Sequence, residues 1–354
     1  MLKIALLTLL TLLFSLVITP IIIRLTKVFK LTDKPNKRKV HKDPIPTLGG
    51  LAIYISFLLG LVILQPDAHY HAIIITGATI IVTLGVIDDL ITLSPKIKFL
   101  VQIAVAFLVV FKGGLMVEYV NFPFGGQIEF GVMGSIITVF WIVGVTNAIN
   151  LIDGLDGLAA GVSAIALLTM AGMASIMGDV YVTIMALLLF FSTLGFLKYN
   201  FFPAKIFMGD TGALFLGYMI SVLALLGFKN VTFISFIIPI FILAVPISDT
   251  LIAIIRRYVN DQPLSSPDSS HLHHKLLKMG FSHKHTVLFI YMLSIMFSMA
   301  AIFFSMTTVW GTISIFIISI LALQILIEYL ELISVKYKPL TNLLKAIKHN
   351  IMDP

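Results

Sequence analysis

Cysteine is absent from this 354-residue chain, which excludes disulfide bonds and thiolate chemistry. Charge is also scarce: only 12% of the residues are Asp, Glu, Lys or Arg, about half the share found in a typical soluble domain. Hydrophobic residues make up 59% of the chain, and the mean hydropathy is +1.06. This balance excludes an ordinary soluble protein and indicates a chain that crosses a membrane several times.

Long apolar runs predict eleven transmembrane helices, so the predicted fold is an all-α polytopic membrane protein with residues 1–354 in a single domain. The first run is longer than a signal-peptide core and lacks a cleavage site of small residues, so it is predicted to remain as a helix. The predicted helices cover residues 4–23, 48–65, 72–88, 97–112, 132–148, 158–177, 180–197, 212–228, 231–252, 286–305 and 309–328.

Positive charge is unevenly distributed along the chain. All but three of the 24 Lys and Arg residues lie in five segments between or after the predicted helices, and only Lys3, Lys112 and Lys229 lie on the other side. The positive-inside rule therefore predicts a cytoplasmic C-terminus and an N-terminus outside the cell membrane. The net charge of +7 then faces anionic membrane lipids and anionic substrates, and nothing in the pattern indicates nucleic acid.

Two connecting segments have patterns of their own. Residues 117–131 alternate apolar and polar side chains around Gly125 and Gly126, which predicts a short β-hairpin on the outer side. Residues 253–285 form a long polar loop on the cytoplasmic side, and five histidines lie in its last fifteen positions. Neither segment is expected to form a soluble domain.

Acidic residues gather at one end of the predicted helices. A charged side chain inside a membrane costs about 2.5–3.5 kcal/mol unless it faces water or a partner, so we expect several of them to share one polar site. Lipid head groups can also solvate such residues, but adjacent carboxylates repel each other unless a cation lies nearby. The six residues at the predicted cytoplasmic ends are Asp88, Asp89, Asp153, Asp156, Asp210 and Asp249.

The stretch NAINLIDGLDGLAAG, residues 147–161, has a polar side chain at every third position: Asn147, Asn150, Asp153 and Asp156. On a helix this spacing places the polar groups on neighbouring turns, and the intervening glycines let a ligand approach the backbone. A hydrogen-bonded seam between two helices would explain the amides but not the two carboxylates. The motif therefore favours a binding function.

Asp210 lies in the motif GDTG at the start of a predicted helix, downstream of Asn200. An aspartate at this position caps the helix in many proteins, and it also suits a metal ion. The two functions are compatible, so both stay open.

The segment HLHHKLLKMGFSHKH, residues 271–285, concentrates the histidines. An interfacial helix explains its leucines, but not three histidines within four positions. Zinc is disfavoured because the cluster contains neither a thiolate nor a carboxylate. Phosphate binding or proton handling is the favoured interpretation.

The basic segment KPNKRKVHKDPIPTLGG, residues 34–50, ends in a turn rich in proline and glycine. Electrostatic attraction to the membrane surface and substrate binding explain the positive charge equally well. Both interpretations stay open.

The motifs together favour one chemistry. Carboxylates without cysteine suit a hard cation, Mg²⁺ or alternatively Mn²⁺. Lysine, arginine and histidine around such a cation suit phosphates. A site at the inner membrane face suits one soluble and one lipid substrate. We therefore expect phosphoryl transfer between a nucleotide and a lipid carrier.

Across almost the whole chain, the five motifs resemble in order those of the polyprenyl-phosphate N-acetylhexosamine-1-phosphate transferases, glycosyltransferase family 4. KPNKRKVH, HLHHKLL and the pair Arg256 and Arg257 are similar to the UDP-GlcNAc:undecaprenyl-phosphate GlcNAc-1-phosphate transferases, which start teichoic-acid and O-antigen synthesis. The sister branch, which transfers phospho-MurNAc-pentapeptide, carries three consecutive histidines, and Leu272 interrupts that run here. The resemblance implies an eleven-helix fold and the substrates UDP-GlcNAc and undecaprenyl phosphate.

The resemblance also implies site residues. Asp210 matches the metal ligand, Asp88 and Asp89 match the pair assigned to lipid phosphate or metal, and Lys98 matches a phosphate-contacting lysine. The positions implied for the nucleotide and pyrophosphate are Asn150, Asp153, Asp156, Asn200, His271, His273 and His274, with Lys42 at the start of a nucleotide-side segment and Arg256 and Arg257 as further substrate-binding residues.

Two other functions compete with this prediction. The nearest is the pentapeptide transferase branch of the same family, which uses a different UDP-sugar. A secondary transporter also uses buried carboxylates, but it would place them in the middle of helices rather than at one end. The polymer made from the lipid product, the length of the carrier and the oligomeric state are left open, with a homodimer as one alternative.

Overall fold

The computed structural model describes residues 2–33, 44–122, 125–228, 233–263, 270–334 and 337–343. A helix covers most of each predicted transmembrane segment, and eight of the described helices are long and apolar enough to cross a membrane. The all-α polytopic class is therefore confirmed, whereas the number of crossings and their direction stay predictions. The helices are α1 (Leu2–Val28), α2 (Gly49–Leu64), α3 (His71–Ile91), α4 (Pro95–Phe111), α5 (Val132–Ile152), α6 (Leu158–Met177), α7 (Val180–Asn200), α8 (Gly209–Phe228), α9 (Phe233–Ile242), α10 (Ala244–Val259), α11 (Leu272–Lys278), α12 (His283–Met306) and α13 (Val309–Tyr329).

The segment predicted as one helix over residues 231–252 differs from the prediction, because its described part forms two helices. The helices α9 and α10 meet at Leu243. Pro246 lies in the first turn of α10, where its nitrogen has no hydrogen to donate to the Ile242 carbonyl and its ring crowds that group. A hydropathy profile does not detect this break, because Pro246 lies inside an otherwise apolar run.

Helix α8 is the centre of the bundle. It contacts α2, α3, α5, α6 and α7, and 89% of the residues in its most apolar stretch are buried inside the protein. Its buried Tyr218 donates a hydrogen bond from the hydroxyl to the Ile74 carbonyl of α3 at 3.0 Å. In contrast, only 11% of the residues in the most apolar stretch of α13 are buried, so that helix presents most of its surface outward. A residue at the start of α8 is therefore within reach of several other helices.

Glycines bring α2 and α3 against the first turn of α8. A Cβ atom added to Gly50 of α2 would overlap the backbone of Gly212, and one added to Gly85 of α3 would overlap the backbone of Thr211. Small residues allow this close approach of helix backbones, as is typical of membrane proteins. The carboxyl-terminal end of α3 and the amino-terminal ends of α2 and α8 are consequently packed together.

Two short antiparallel strand pairs complete the described fold. Strand β1 (Thr32–Asp33) pairs with β2 (Ile45–Pro46). Strand β3 (Tyr119–Asn121) pairs with β4 (Gln127–Glu129) in the register that matches Val120 with Ile128. The second pair confirms the hairpin predicted in residues 117–131, and its location on the outer side stays a prediction.

Candidate active site

Three charged side chains from three helices form the centre of the site. The Lys98 ammonium of α4 lies 3.0 Å from Asp88 Oδ2 of α3 and 2.8 Å from Asp210 Oδ2 of α8. The lysine is positioned by a well-defined helix start, because the Ser94 side chain accepts a hydrogen bond from the Ile97 N–H. One positive charge thus lies between two negative charges, at the place where three helices meet.

Asp89 binds the start of α8 rather than Lys98. Its Oδ1 accepts a hydrogen bond from the Asp210 N–H at 2.9 Å. Its Oδ2 accepts from the Thr211 N–H at 3.1 Å and from the Thr211 hydroxyl at 2.6 Å. Gly209, with φ of 71°, supplies the left-handed turn that leads into the helix. The cap of α8 therefore comes from Asp89, a carboxylate on another helix, and it fixes the position of Asp210.

The two asparagines of α5 have different partners. Asn150 Nδ2 donates a hydrogen bond to Asp210 Oδ1 at 3.1 Å, so this amide belongs to the acidic centre. Asn147 Nδ2 donates to Gln102 Oε1 of α4 at 2.5 Å and to the Val143 carbonyl at 2.7 Å. Asn147 therefore forms the contact between helices that the second interpretation of the 147–161 motif describes, whereas the binding function stays a prediction for Asn150.

The spacing of the motif predicts a helix throughout, but the helix ends before Asp153. Helix α5 ends at Ile152, and residues 153–157 form a turn before α6 begins. Gly157 adopts φ of 77°, which a residue with a side chain rarely takes. We call residues 153–157 the acidic turn, because it carries Asp153 and Asp156.

The acidic turn is held by contacts from three directions. The Asp156 carboxylate accepts a hydrogen bond from the Ala204 N–H at 2.9 Å. The Gly157 N–H donates to Asn200 Oδ1 at 3.1 Å, and the Gly157 carbonyl accepts from the Tyr291 hydroxyl of α12. Asn200, which the family resemblance assigned to the nucleotide, is buried. In this structure its side chain holds the backbone of the turn.

The Asp153 carboxylate accepts no hydrogen bond from the described residues, unlike that of Asp156. Burial, together with the nearby carboxylates of Asp210, Asp89 and Asp156, raises the pKa of Asp153 to about 8. A carboxyl group in this environment favours the neutral form unless a cation is close. Asp153 is therefore a side chain whose negative charge requires a positive partner.

The histidine segment is attached to α10 through Asp249. His271 Nδ1 lies 2.9 Å from Asp249 Oδ2, and the Leu272 N–H donates to Asp249 Oδ1 at 2.8 Å. Both Asp249 and His271 are buried. The carboxylate thus orients one histidine and holds the first residue of α11.

His273 and His274 lie closer to the acidic turn. The His273 ring lies against Gly154, where a Cβ atom would overlap the imidazole, and neither of its buried nitrogens has a partner among the described residues. Burial lowers the pKa of His273 to about 3, with His274 adding to the effect, so the ring is neutral. His274, whose ring centroid is 4.2 Å from that of His273, lines the central cavity.

The cavity has a volume of about 640 Å³ and is lined by residues of the acidic centre, the acidic turn and the histidine segment. One wall is formed where the backbone after β2 runs beside residues 207–208, with the Phe207 N–H donating to the Pro46 carbonyl at 2.8 Å and the Gly50 N–H to the Met208 carbonyl at 2.9 Å. Its polar lining consists of Thr47, Asp88, Asp89, Thr92, Asn150, Asp153, Asp156, Asn200, Asp210, His274 and His283.

The cavity lining fits a magnesium ion shared with a substrate. Among the described residues, no three His, Asp or Glu side chains form a complete metal site by themselves. Mg²⁺ does not require one, because it commonly uses one or two carboxylates and takes its other ligands from water and phosphates. Asp210 and Asp88 already converge on one cation, Lys98, and within the described parts of the chain the Asp153 carboxylate accepts no hydrogen bond. These are the residues that would hold the ion.

Some residues implied by the resemblance lie elsewhere or outside the described chain. Arg256 Nη1 donates to the Leu332 carbonyl at 2.5 Å, just beyond α13, and neither Arg256 nor Arg257 lines the cavity that the described residues form. Arg256 is therefore placed to hold the end of α13, and substrate binding by the two arginines stays a prediction. Lys42 lies outside the described residues.

Three aromatic residues of the cavity are missing from the sequence prediction. Phe202, Phe207 and His283 all line it. The segment NFFPAKIF, residues 200–207, offered a signal for the two phenylalanines, because it joins α7 to α8 just before the GDTG motif. His283 had no such signal, since it was one of five histidines in the same segment.

Comparison with known proteins agrees with this geometry. A family model described as glycosyl transferase family 4 matches residues 71–228, which include Asp88, Lys98, Asn150 and Asp210. A relative from Bacillus subtilis (strain 168), named probable undecaprenyl-phosphate N-acetylglucosaminyl 1-phosphate transferase, is 48% identical over 351 residues, 98% of each chain. The chain belongs to glycosyl transferase family 4.

More distant members of the family have related names. The decaprenyl-phosphate N-acetylglucosaminephosphotransferase of Mycobacterium leprae (strain TN) is 31% identical over 290 residues, 73% of each chain. The undecaprenyl-phosphate alpha-N-acetylglucosaminyl 1-phosphate transferase of Escherichia coli (strain K12) is 26% identical over 270 residues, covering 74% of this chain and 73% of the relative. The resemblance inferred from the five motifs is thus confirmed.

Proposed function

We propose that this chain transfers GlcNAc-1-phosphate from UDP-GlcNAc to undecaprenyl phosphate, which yields undecaprenyl-pyrophosphoryl-GlcNAc and UMP. The observation that carries the proposal is the convergence of Asp88, Lys98 and Asp210 beside one cavity, in a chain 48% identical to the Bacillus subtilis relative over nearly its full length. The product would start a cell-wall polymer such as teichoic acid or O-antigen.

The reaction exchanges one phosphoanhydride for another. An oxygen of the lipid phosphate attacks the β-phosphorus of UDP-GlcNAc, and the bond between that phosphorus and the oxygen retained by UMP breaks. The bond between the sugar C1 and its oxygen is untouched, so the anomeric configuration is kept. The second pKa of a phosphate monoester is near 6, so the attacking phosphate is mostly a dianion at pH 7 and requires no strong general base.

Asp88 is accordingly assigned to positioning. One of its oxygens holds Lys98 at 3.0 Å, and the other accepts from the Leu93 N–H at 2.7 Å. Lys98 in turn supplies positive charge beside the acidic centre. Two unit charges 4 Å apart repel each other by about 4 kcal/mol at an effective dielectric constant of 20, so a phosphate that enters a site lined by aspartates requires such compensation.

A magnesium ion on Asp210, with Asp88 or Asp153 as further ligands, would neutralise the phosphates and stabilise the charge that develops in the transition state. Mn²⁺ is the alternative ion. The support is the chemistry of the donor set, which consists of carboxylate oxygens at a cavity large enough for phosphates.

The two substrates reach the cavity from different sides in this proposal. Exposed apolar side chains surround Lys98 on α4, with Ile97, Phe99 and Leu100 between 47% and 65% exposed, which suits the lipid carrier. The acidic turn, Asn200 and the 202–207 segment form other walls of the cavity, and their polar groups suit the nucleotide. The basic connecting segments support an active site on the cytoplasmic face of the cell membrane.

A reconstituted transfer assay tests the function. Purified protein is given radiolabelled UDP-GlcNAc, undecaprenyl phosphate and Mg²⁺, and labelled lipid is measured. A parallel reaction with UDP-MurNAc-pentapeptide tests the sister activity. Labelled lipid from UDP-GlcNAc alone is expected, and a preference for the pentapeptide substrate would contradict the proposal.

Two lysines on α4 provide a matched pair for the same assay. Lys98→Met removes the ammonium between Asp88 and Asp210, and we expect transfer to fall by ~100-fold or more, because phosphate loses its nearest compensating charge. Lys96→Met changes an exposed lysine two residues away and should leave transfer within ~2-fold of the wild type. Equal activity of the two variants would contradict the assignment of Lys98.

A further inference from the structure

We propose that His283 is a positioning residue that holds the acidic turn in its nucleotide-binding conformation, an inference that rests on the proposed function. Its Nε2 accepts a hydrogen bond from the Asp156 N–H at 3.0 Å. This contact links the start of α12 to a turn 127 residues earlier in the chain. It also places the histidine at the wall of the cavity.

The imidazole is held in one orientation. The Ser282 side chain caps α12 by accepting from the His285 N–H, so the backbone of His283 begins a regular helix. Its ring stacks on Phe202 with centroids 4.6 Å apart and an angle of 30° between the planes. Since the Asp156 N–H is a donor, Nε2 must be the unprotonated nitrogen of the ring.

The effect on substrate follows from what the turn carries. Asp153, Gly154, Leu155 and Asp156 all line the cavity, and the Asp156 amide that His283 holds belongs to the last of them. The neighbouring Gly157 amide has its own acceptor, Asn200, so His283 and Asn200 hold two consecutive N–H groups. Without His283 the Asp156 N–H loses its acceptor in the described structure, and the contact between the Asp156 carboxylate and the Ala204 N–H has to hold this part of the turn alone.

The lipid acceptor does not depend on this contact. Asp88 and Lys98 on α3 and α4 belong to the other side of the site and make no contact with His283 in the described structure. His283 should therefore influence the binding of UDP-GlcNAc much more than the binding of undecaprenyl phosphate. This asymmetry separates positioning of the turn from a general loss of structure.

Four variants test the proposal. His283→Phe keeps an aromatic ring to stack on Phe202 but removes the hydrogen-bond acceptor. His283→Asn has an acceptor oxygen, but its side chain is too short to reach the Asp156 N–H. His283→Gln restores an acceptor oxygen near the position of Nε2. His285→Phe is the matched control, because it removes an exposed histidine two residues along the same helix.

Steady-state kinetics supply the first measurement. For His283→Phe we expect the KM for UDP-GlcNAc to rise ~10-fold while the KM for undecaprenyl phosphate stays within ~2-fold. His283→Gln should recover most of the donor affinity, and His285→Phe should match the wild type. An unchanged donor KM in His283→Phe, an equal rise in both KM values, or no recovery in His283→Gln would overturn the proposal. If His283→Phe does not fold, His283→Asn carries the same expectations.

Hydrogen exchange supplies a second measurement that needs no substrate. A peptide covering the acidic turn should exchange its amides faster in His283→Phe than in the wild type, and at the wild-type rate in His283→Gln and His285→Phe. Unchanged exchange in His283→Phe would show that the contact does not hold the turn. Wild-type protein without transfer activity would contradict the proposed function instead, and the exchange result would still decide on the contact.

Discussion

Replacement of Asp89 by asparagine distinguishes a carboxylate that supports the site from one that acts in it. Asp89 accepts three hydrogen bonds, from the Asp210 N–H, the Thr211 N–H and the Thr211 hydroxyl, at 2.6 to 3.1 Å. An asparagine side chain has one acceptor oxygen and presents an NH₂ group in place of the other. At least one donor at the start of α8 then faces another donor.

The expected magnitude follows from these contacts. Hydrogen bonds to a charged group contribute about 1.5–3 kcal/mol each, and loss of a helix cap costs about 1 kcal/mol. Asp89→Asn should therefore destabilise the protein by about 2–3 kcal/mol. The first turn of α8 also carries Asp210, and a displacement of about 1 Å at a reacting centre costs ~100-fold in rate. We expect stability and transfer to fall together.

Asp210→Asn is the matched comparison, because Lys98 keeps its contact with Asp88 at 3.0 Å and the cap of α8 is intact. Its stability should stay within about 1 kcal/mol of the wild type. Stability is measured by SDS titration in mixed micelles and transfer by the lipid assay. If Asp89→Asn loses activity at wild-type stability, Asp89 acts on a substrate or metal directly and the capping argument is refuted. Equal destabilisation of both variants would refute it as well.

Three further predictions concern the chemistry of the site. Chelation with EDTA should abolish transfer, Mg²⁺ or Mn²⁺ should restore it, and Asp210→Asn should lower it by ~1000-fold or more; near-normal turnover of that variant at low Mg²⁺ would remove the metal assignment. Because one phosphoanhydride replaces another, labelled UMP should exchange into UDP-GlcNAc when lipid product is present, and a lack of exchange would argue against a single reversible transfer. Gly154→Ala should reduce kcat ~10-fold, since the new Cβ overlaps the His273 ring; Gly144→Ala, where a Cβ meets open space, is the control, and equal rates for the two variants would contradict the packing argument.

The apolar runs predicted the helices well, since lipid allows few alternatives to a helix that satisfies its own backbone. The same principle located the acidic centre. Polar side chains are costly in a membrane, so Asp88, Asn150 and Asp210 had to share a site although they are far apart in the chain. Prediction was weaker where local geometry decides the outcome. Near Pro246, for example, the sequence predicted one helix and the structure has two, α9 and α10.

The tasks of individual residues were harder to predict. Asp88 and Asp89 are adjacent and chemically identical, yet one binds Lys98 and the other caps α8. Arg256 was expected to bind substrate, and the structure places it on the Leu332 carbonyl. The cap by Asp89 and the contact of Arg256 each depend on a partner more than 70 residues away in the chain, which no local pattern encodes.

The sequence by itself determined the class of the protein, the approximate position of its helices and most of the polar residues at the site, because hydrophobicity and the cost of buried charge are properties of each segment alone. Only the tertiary structure decided that Asp89 caps α8, that Asp249 orients His271 and that His283 reaches the Asp156 N–H. The physical reason is that a hydrogen bond is short and directional, so its partner is known only once the helices are packed.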